Sequence, residues 1–174
     1  MPRQPSFALP IAYGALRILI VLNWLFGVGI LALLASTLIN EPWTMKALGV
    51  SGFADPRAVM MGMRAIAALG LASIPLVHVI LRRLLAMVVT VRAGDPFVPG
   101  NAHRLQGIAW ALLALQFLSL AIAGIARAIS TPAHPFHLDA GLSVSGWLAV
   151  ILTFVLARVF AEGTLMREDL EGTI

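Results

Sequence analysis

Four apolar segments, each long enough to cross a lipid bilayer, constrain this chain more than any other feature of its sequence. They run approximately over residues 15–38, 58–81, 105–129 and 141–161. A helix that spans the hydrocarbon core needs about 20 mostly apolar residues, and every segment reaches that length. Of the 174 residues, 60% are hydrophobic and 11% are charged, whereas a soluble domain is about 45–50% apolar and about 25% charged. We therefore predict an all-α, integral membrane protein with a single transmembrane domain.

The short connections between these segments predict an up-down four-helix bundle. Its orientation is predicted from the cations, because Lys and Arg are enriched on the cytoplasmic side of membrane proteins. The N-terminal flank, the second connection and the C-terminal end, with the helix ends beside them, hold eight arginines, and the opposite side holds four cations. We expect both termini and the second connection in the cytoplasm.

The sequence lacks the residues and motifs that several kinds of chemistry require. Cysteine is absent, which excludes disulfides, thiolate metal sites and cysteine nucleophiles. No basic run with interleaved aromatic residues occurs, so we expect no direct nucleic-acid binding. No phosphate-cradling glycine loop or serine nucleophile elbow is present, so we expect neither an enzyme nor a bound cofactor. His134, His137 and Asp139 are ligand-type residues, but Pro135 disfavours a helix that presents both imidazoles. A hydrophilic loop is preferred there, with a metal site as the alternative.

Among the polar side chains inside the predicted spans, which include His78 and Thr153, the main candidates are Asn23, Arg64 and Gln116. Burying such a group without a partner costs about 1–3 kcal/mol. Hydrogen bonds between helices account for Asn23 and Gln116, and Arg64 lies close enough to the outer face to extend into the headgroups. Alternatively, the three residues line a path through a small permease or channel subunit. Ion-coupled transport is disfavoured, because no Asp or Glu falls inside a span.

Residues 82–104, which we call the hinge, form the densest cluster of turn and cap residues in the chain. We expect the second helix to continue past the membrane surface until Gly94 ends it. Asp95 then reads as the N-cap of a short turn, and Asn101 as the N-cap of the next helix. Phe97 lies between Pro96 and Pro99 in a stiff segment that is expected to dock onto another element. A plain structural turn is the alternative.

Residues 160–172, which we call the tail, are predicted to continue the last span as an amphipathic helix. From Arg158 onward the chain has two cations and four acids, a net charge of −2, and the hinge has four arginines and one acid, a net charge of +3. Because both elements are expected on one side of the membrane, we predict that they contact each other, with Phe97 against the apolar face of the tail. The alternative is that both are solvated.

The hinge contains a motif made of Gly94, Asp95, Pro96, Phe97, Pro99, Asn101 and Arg104, and the tail contains one made of Phe160, Glu162, Gly163, Asp169 and Gly172. Together they resemble the two shared motifs of the bacterial DUF2975 family of four-span membrane proteins of unknown function. The resemblance covers the whole chain, and Gly100 and His103 depart from the usual pattern. It implies a multi-pass inner-membrane protein without assigned activity. Members are often encoded beside a small helix-turn-helix regulator, which implies such a regulator as a partner.

Two functions follow from these observations. The first is a non-enzymatic membrane sensor or anchor, in which the hinge and the tail bind a cytoplasmic helix-turn-helix regulator. The second is the permease or channel subunit. The lipid bilayer is the expected surrounding of the spans, and a homo-oligomer is a further candidate assembly.

Overall fold

The computed structural model describes residues 8–50, 53, 55–131 and 141–171. These residues form five α-helices: α1 (Ala8–Ile39), α2 (Glu41–Ala47), α3 (Pro56–Arg92), α4 (Pro99–Ile129) and α5 (Val144–Glu171). The four long helices, α1, α3, α4 and α5, are apolar and long enough to cross a membrane. The predicted all-α class with four candidate spans is thus confirmed.

Local capping residues define where several of these helices begin. The Asn40 side chain accepts a hydrogen bond from the amide of Trp43 at the start of α2, and the Asp55 carboxylate accepts one from the amide of Ala58 at the start of α3. The Ser143 hydroxyl accepts from the amide of Gly146 at 3.1 Å. Each contact satisfies an amide that a helix leaves without an internal partner. α5 therefore begins three residues later than residue 141, the predicted start of the fourth span.

Neighbouring long helices run in opposite directions. Along α1 and α3, Asn23 pairs with Ile74 whereas Thr37 pairs with Arg64, so the residue numbers rise on one helix as they fall on the other. The contacts of Gly62 with Ile129 and of Gly107 with Arg83 show the same for α3 and α4. The ring pairs Trp110–Phe154 and Phe117–Trp147 show it for α4 and α5. Glycines allow close approach at these interfaces. At Gly62 an added Cβ would lie 2.5 Å from Ile129 Cγ2 of α4.

The long helices pack in chain order, with α1 against α3, α3 against α4, and α4 against α5. Within the described ranges, α1 and α5 share no extensive contact, although a closed four-helix bundle needs one. The arrangement is therefore more open than the predicted bundle. α4 supplies more of the buried residues than any other helix described, namely Asn101, Leu105, Ile108, Ala109, Ala111, Ala123 and Ala126. The outer helix α1 keeps large apolar side chains on its surface, where lipid can cover them.

Candidate functional site

The hinge begins where α3 ends, at a glycine in the left-handed conformation. α3 runs to Arg92, and Gly94 follows with φ of +86°. The amide of Asp95 donates to the carbonyl of Thr90, and the amide of Gly94 donates to that of Val91, both at 3.1 Å. This pair of bonds is a Schellman motif, which satisfies carbonyls at the helix end. The predictions that α3 continues beyond Arg82 and Arg83, and that Gly94 ends it, are confirmed.

Asn101 occupies the centre of the hinge and is fully buried. Its Nδ2 donates to Thr90 Oγ1 and to the carbonyl of Pro96, both at 2.8 Å, and its Oδ1 accepts from Arg104 Nη1 at 2.7 Å. These bonds join the end of α3, the connecting segment and the first turns of α4. The predicted N-cap role of Asn101 is wrong. α4 begins at Pro99 after Val98, so Asn101 lies inside the helix.

Asp95 is likewise not a helix N-cap, because residues 95–98 form no helical turn. Its carboxylate instead accepts a hydrogen bond from Arg167 Nη1 in the tail. Both side chains are about half-exposed. A local preference for capping positions predicted the wrong partner, because the chain offers Asp95 a cation 72 positions away.

Phe97 forms the apolar part of the same contact. Its ring centroid lies 5.3 Å from that of Phe160, at an interplanar angle of 32°. The ring also lies against the backbone of Gly163, where an added Cβ would be 3.2 Å from ring atoms. Together with the Asp95–Arg167 ion pair, these interactions constitute the hinge–tail contact. The predicted docking of Phe97 on the tail is confirmed.

The charges in the hinge–tail contact have the opposite arrangement to the one predicted. The net charges predicted ion pairs between arginines of the hinge and acids of the tail. The observed ion pair instead joins an acid of the hinge, Asp95, to an arginine of the tail, Arg167. Glu162 of the tail pairs within its own helix, accepting from Arg158 Nε at 2.7 Å. Asp169 is exposed on α5, and Gly172 lies outside the described residues.

Asn23, Arg64 and Gln116, the polar residues singled out inside the predicted spans, lie at two different interfaces. Asn23 donates to the carbonyl of Ile74 on α3 at 3.1 Å. Arg64 pairs with Glu41 of α2 at 2.9 Å, and it donates to the hydroxyl and the carbonyl of Thr37. The Gln116 side chain occupies space against Gly146, on the far side of α4. The described helices therefore bring Asn23 and Arg64 to the α1–α3 face and Gln116 to the α4–α5 face, so the three do not share one path.

The side-chain oxygen of Gln116 does not make the hydrogen bond between helices that was predicted for this residue. In the part of the chain that the structure describes, its Oε1 is buried without a hydrogen-bond partner, and so is Nε1 of Trp147. Asn23 thus makes the interhelical hydrogen bond that was predicted, and the oxygen of Gln116 does not.

Some contributors to the hinge were missed in the sequence. Arg83 donates to the carbonyls of His103 and Arg104, and its guanidinium fills the space where Gly107 has no side chain. The ring of Tyr13 on α1 lies near the guanidinium groups of Arg17 and Arg92, at 4.8 and 5.4 Å from its centroid. The sequence signal for the Arg83–Gly107 pair is a glycine on one helix opposite a long cation on the antiparallel neighbour. This signal identifies the pair only when the rotation of both helices about their axes is known.

The structure brings no group of three His, Asp or Glu side chains into metal-binding range within residues 8–50, 53, 55–131 and 141–171. His134, His137 and Asp139 lie outside these ranges.

Comparison with known proteins gives one match. A family model described as "Protein of unknown function (DUF2975)" matches residues 49–174. That segment contains the hinge, the tail and the helices α3, α4 and α5. Neither the curated proteins nor the solved structures yielded a match.

Proposed function

The chain belongs to the DUF2975 family of proteins of unknown function, and we propose that it is a non-enzymatic membrane sensor or anchor that binds a cytoplasmic helix-turn-helix regulator. In this proposal the long helices cross a bacterial inner membrane in up-down order. The hinge, the tail and both termini lie in the cytoplasm. The observation that carries the proposal is the hinge–tail contact, which joins two distant segments into one surface.

The lengths of the helices favour a surface that projects from the bilayer. α3 has 37 residues, which correspond to about 55 Å, whereas the hydrocarbon core is about 30 Å thick. The arginines Arg82 and Arg83 suit the headgroup level, because their charges are costly in hydrocarbon. The last turns of α3 and the tail then lie beyond that level.

The projecting part carries apolar side chains that water would contact. Val89, Phe97, Leu165 and Met166 have exposed fractions of 49%, 42%, 60% and 62%. Arg167, next to Met166 in the chain, pairs with Asp95 at the same contact. An exposed apolar patch with a charged rim is typical of a surface that binds another protein. A regulator that covers these side chains would remove them from water.

The strength of the hinge–tail contact suits a switch. An ion pair between half-exposed side chains contributes about 0–1 kcal/mol, and an aromatic pair contributes about 0.5–1.5 kcal/mol beyond its buried area. Together these interactions oppose opening of the contact by about 0.5–2.5 kcal/mol. A change in helix packing of that size would shift the population of the closed contact and with it the affinity for the regulator.

Co-purification of the regulator with the full chain from solubilised membranes tests this proposal. Arg167→Asp should lower the yield of the regulator, because it places two acids at the contact. Asp95→Arg in the same chain should restore the yield by re-forming the pair with reversed charges. Lys46→Asp is the matched charge reversal, in α2 near the opposite end of α3 from the hinge, and it should leave the yield of the regulator unchanged. Undiminished binding to Arg167→Asp and to a chain ending at Phe160 would exclude the tail from the function.

The separation of Asn23 and Arg64 from Gln116 counts against the permease or channel alternative.

A further inference from the structure

A cavity of about 470 Å³ lies between the first turns of α4 and the middle of α5. Its size falls within the range of small-molecule sites. The polar part of its lining is His103, Gln106, Arg158 and Thr164, and the apolar part includes Pro99, Phe154 and Leu165. No residue of the hinge–tail contact lines the cavity. Pro99 and Leu165 do line it, and each lies close in sequence to a residue of that contact.

The charged groups at the cavity suit an anion. The Arg158 side chain is 78% exposed and uses Nε to bind Glu162. Its two terminal amino groups carry four further N–H donors, and a guanidinium matches the geometry of a phosphate. Among the described residues no side chain caps the start of α4, and the positive end of a helix dipole favours a negative group there. His103 and Gln106 are exposed and add further polar groups at the mouth.

The position of the cavity indicates where the anion comes from. Arg83 bonds to the carbonyls of His103 and Arg104, so Arg83 and Arg104 lie at the same level as the cavity. Arginines near one level of a membrane protein are typical of the headgroup region, and basic pockets between spanning helices bind anionic headgroups. The apolar walls, with Phe154 and Ala157, continue along α5 toward the membrane-spanning part. A free phosphate has no apolar atoms to pack against these walls, whereas the glycerol and the first acyl carbons of a lipid would pack on them.

We propose that this cavity binds an anionic phospholipid from the leaflet at the hinge end, with Arg158 holding the phosphate and Gln106 and His103 hydrogen-bonding the headgroup. The apolar walls hold the glycerol and the start of one acyl chain. This site requires a membrane but no regulator, so it stands or falls independently of the proposed function.

Native mass spectrometry of the full-length protein tests the proposal, with phosphatidylglycerol and phosphatidylcholine as probes at equal concentration. Wild-type protein should retain phosphatidylglycerol at least about five-fold better than phosphatidylcholine. Arg158→Gln should abolish this preference, and so should Ala161→Leu, which fills the cavity without changing charge. Arg127→Gln, at the other end of α4, should preserve it. Circular dichroism of each variant shows that it is folded.

Three outcomes would overturn the proposal. Equal loss with Arg158→Gln and Arg127→Gln would mean that lipid responds to overall charge. Loss with Arg158→Gln but not with Ala161→Leu would place the lipid on the surface outside the cavity. Displacement of phosphatidylglycerol by millimolar inorganic phosphate would identify a site for a soluble anion.

Discussion

The ring of Phe97 lies so close to Gly163 that a side chain at this position would have to displace the ring. A Cβ at residue 163 would stand 3.2 Å from both Cδ1 and Cε1 of the ring. Glycine inside a helix costs about 1 kcal/mol relative to alanine, so its presence in α5 needs a compensating contact. The approach of the ring supplies that contact and fixes where the hinge meets the tail.

Replacing Gly163 by leucine should displace the Phe97 ring and loosen the tail. Loss of the aromatic contact and overpacking together cost about 2 kcal/mol, and the higher helix propensity of leucine offsets about 1 kcal/mol of this. The net loss of about 1 kcal/mol corresponds to about a five-fold rise in amide exchange. Hydrogen-exchange mass spectrometry of residues 160–171 measures it. Gly124→Leu is the matched control, because that helical glycine has nothing within 4 Å of an added Cβ. Equal exchange in the two variants would show that the ring does not hold the tail.

Asn101→Ala should destabilise the hinge more than any substitution of its partners. The side chain is fully buried and makes three hydrogen bonds, and each bond contributes about 0.5–1.5 kcal/mol, with a further cost for buried groups left unpaired. We expect a loss of about 2–3 kcal/mol in the free energy of unfolding.

Thr90→Val provides the comparison for Asn101→Ala. It keeps the shape of the side chain and removes its hydroxyl, which bonds to Asn101 and to the carbonyl of Met87. A loss of about 1 kcal/mol is expected. Thermal unfolding in detergent measures both variants. If Asn101→Ala costs no more than Thr90→Val, the bonds to Pro96 and Arg104 do not stabilise the hinge.

The elements of this fold were predictable to different degrees for physical reasons. The four long helices were predictable, because a bilayer requires long apolar runs with all backbone groups paired. The end of α3 at Gly94 was predictable from the conformational freedom of glycine. The role of Asn101 was not, because an asparagine near a helix start favours a cap locally, and only the packed fold shows Thr90 and the Pro96 carbonyl beside it.

The interfaces were harder to predict than the helices. A helix that is apolar on all sides, as α1 is, has no polar face to show which side packs inward. Small residues spaced four apart favour close contact between membrane helices. Ser119 and Ala123 have this spacing and meet Gly141, whereas Ala68 and Ala72 have it and are exposed. Spacing alone did not distinguish these cases.

The pairing of Arg83 with Gly107 predicts that two substitutions compensate each other. In Gly107→Ala the new Cβ would coincide with the Arg83 guanidinium, which lies 1.1 Å from that position. The arginine must then leave its carbonyl partners on α4, and we expect a loss of about 1–2 kcal/mol. With Arg83→Ala in the same chain, Gly107→Ala should instead stabilise α4 by up to about 1 kcal/mol, because alanine favours a helix.

Thermal unfolding of the wild type, the two single variants and the double variant completes this cycle. Additive effects of the two substitutions would show that the Arg83 side chain does not occupy the space at Gly107. Gly124→Ala, in the same helix but in open space, reports the effect of helix propensity alone.

The proposed orientation predicts which side of the membrane labels introduced cysteines. The natural chain has no cysteine, so each single variant gives one reactive thiol. Ala93→Cys in the hinge and Met166→Cys in the tail should be protected from a membrane-impermeant maleimide in intact cells and react after the membrane is opened. Lys46→Cys in α2 should react in intact cells. In the proposed orientation α3 crosses the membrane between α2 and the hinge, so residue 46 lies on the outer side.

The hinge–tail contact adds a constraint that holds for either orientation. Asp95 binds Arg167 directly, so residues 93 and 166 must show the same labelling pattern whichever side they face. Labelling of both from outside, with protection of residue 46, would reverse the orientation and remove the cytoplasmic regulator from the proposal. Different patterns for residues 93 and 166 would contradict the contact itself, because a bilayer cannot separate two bonded side chains.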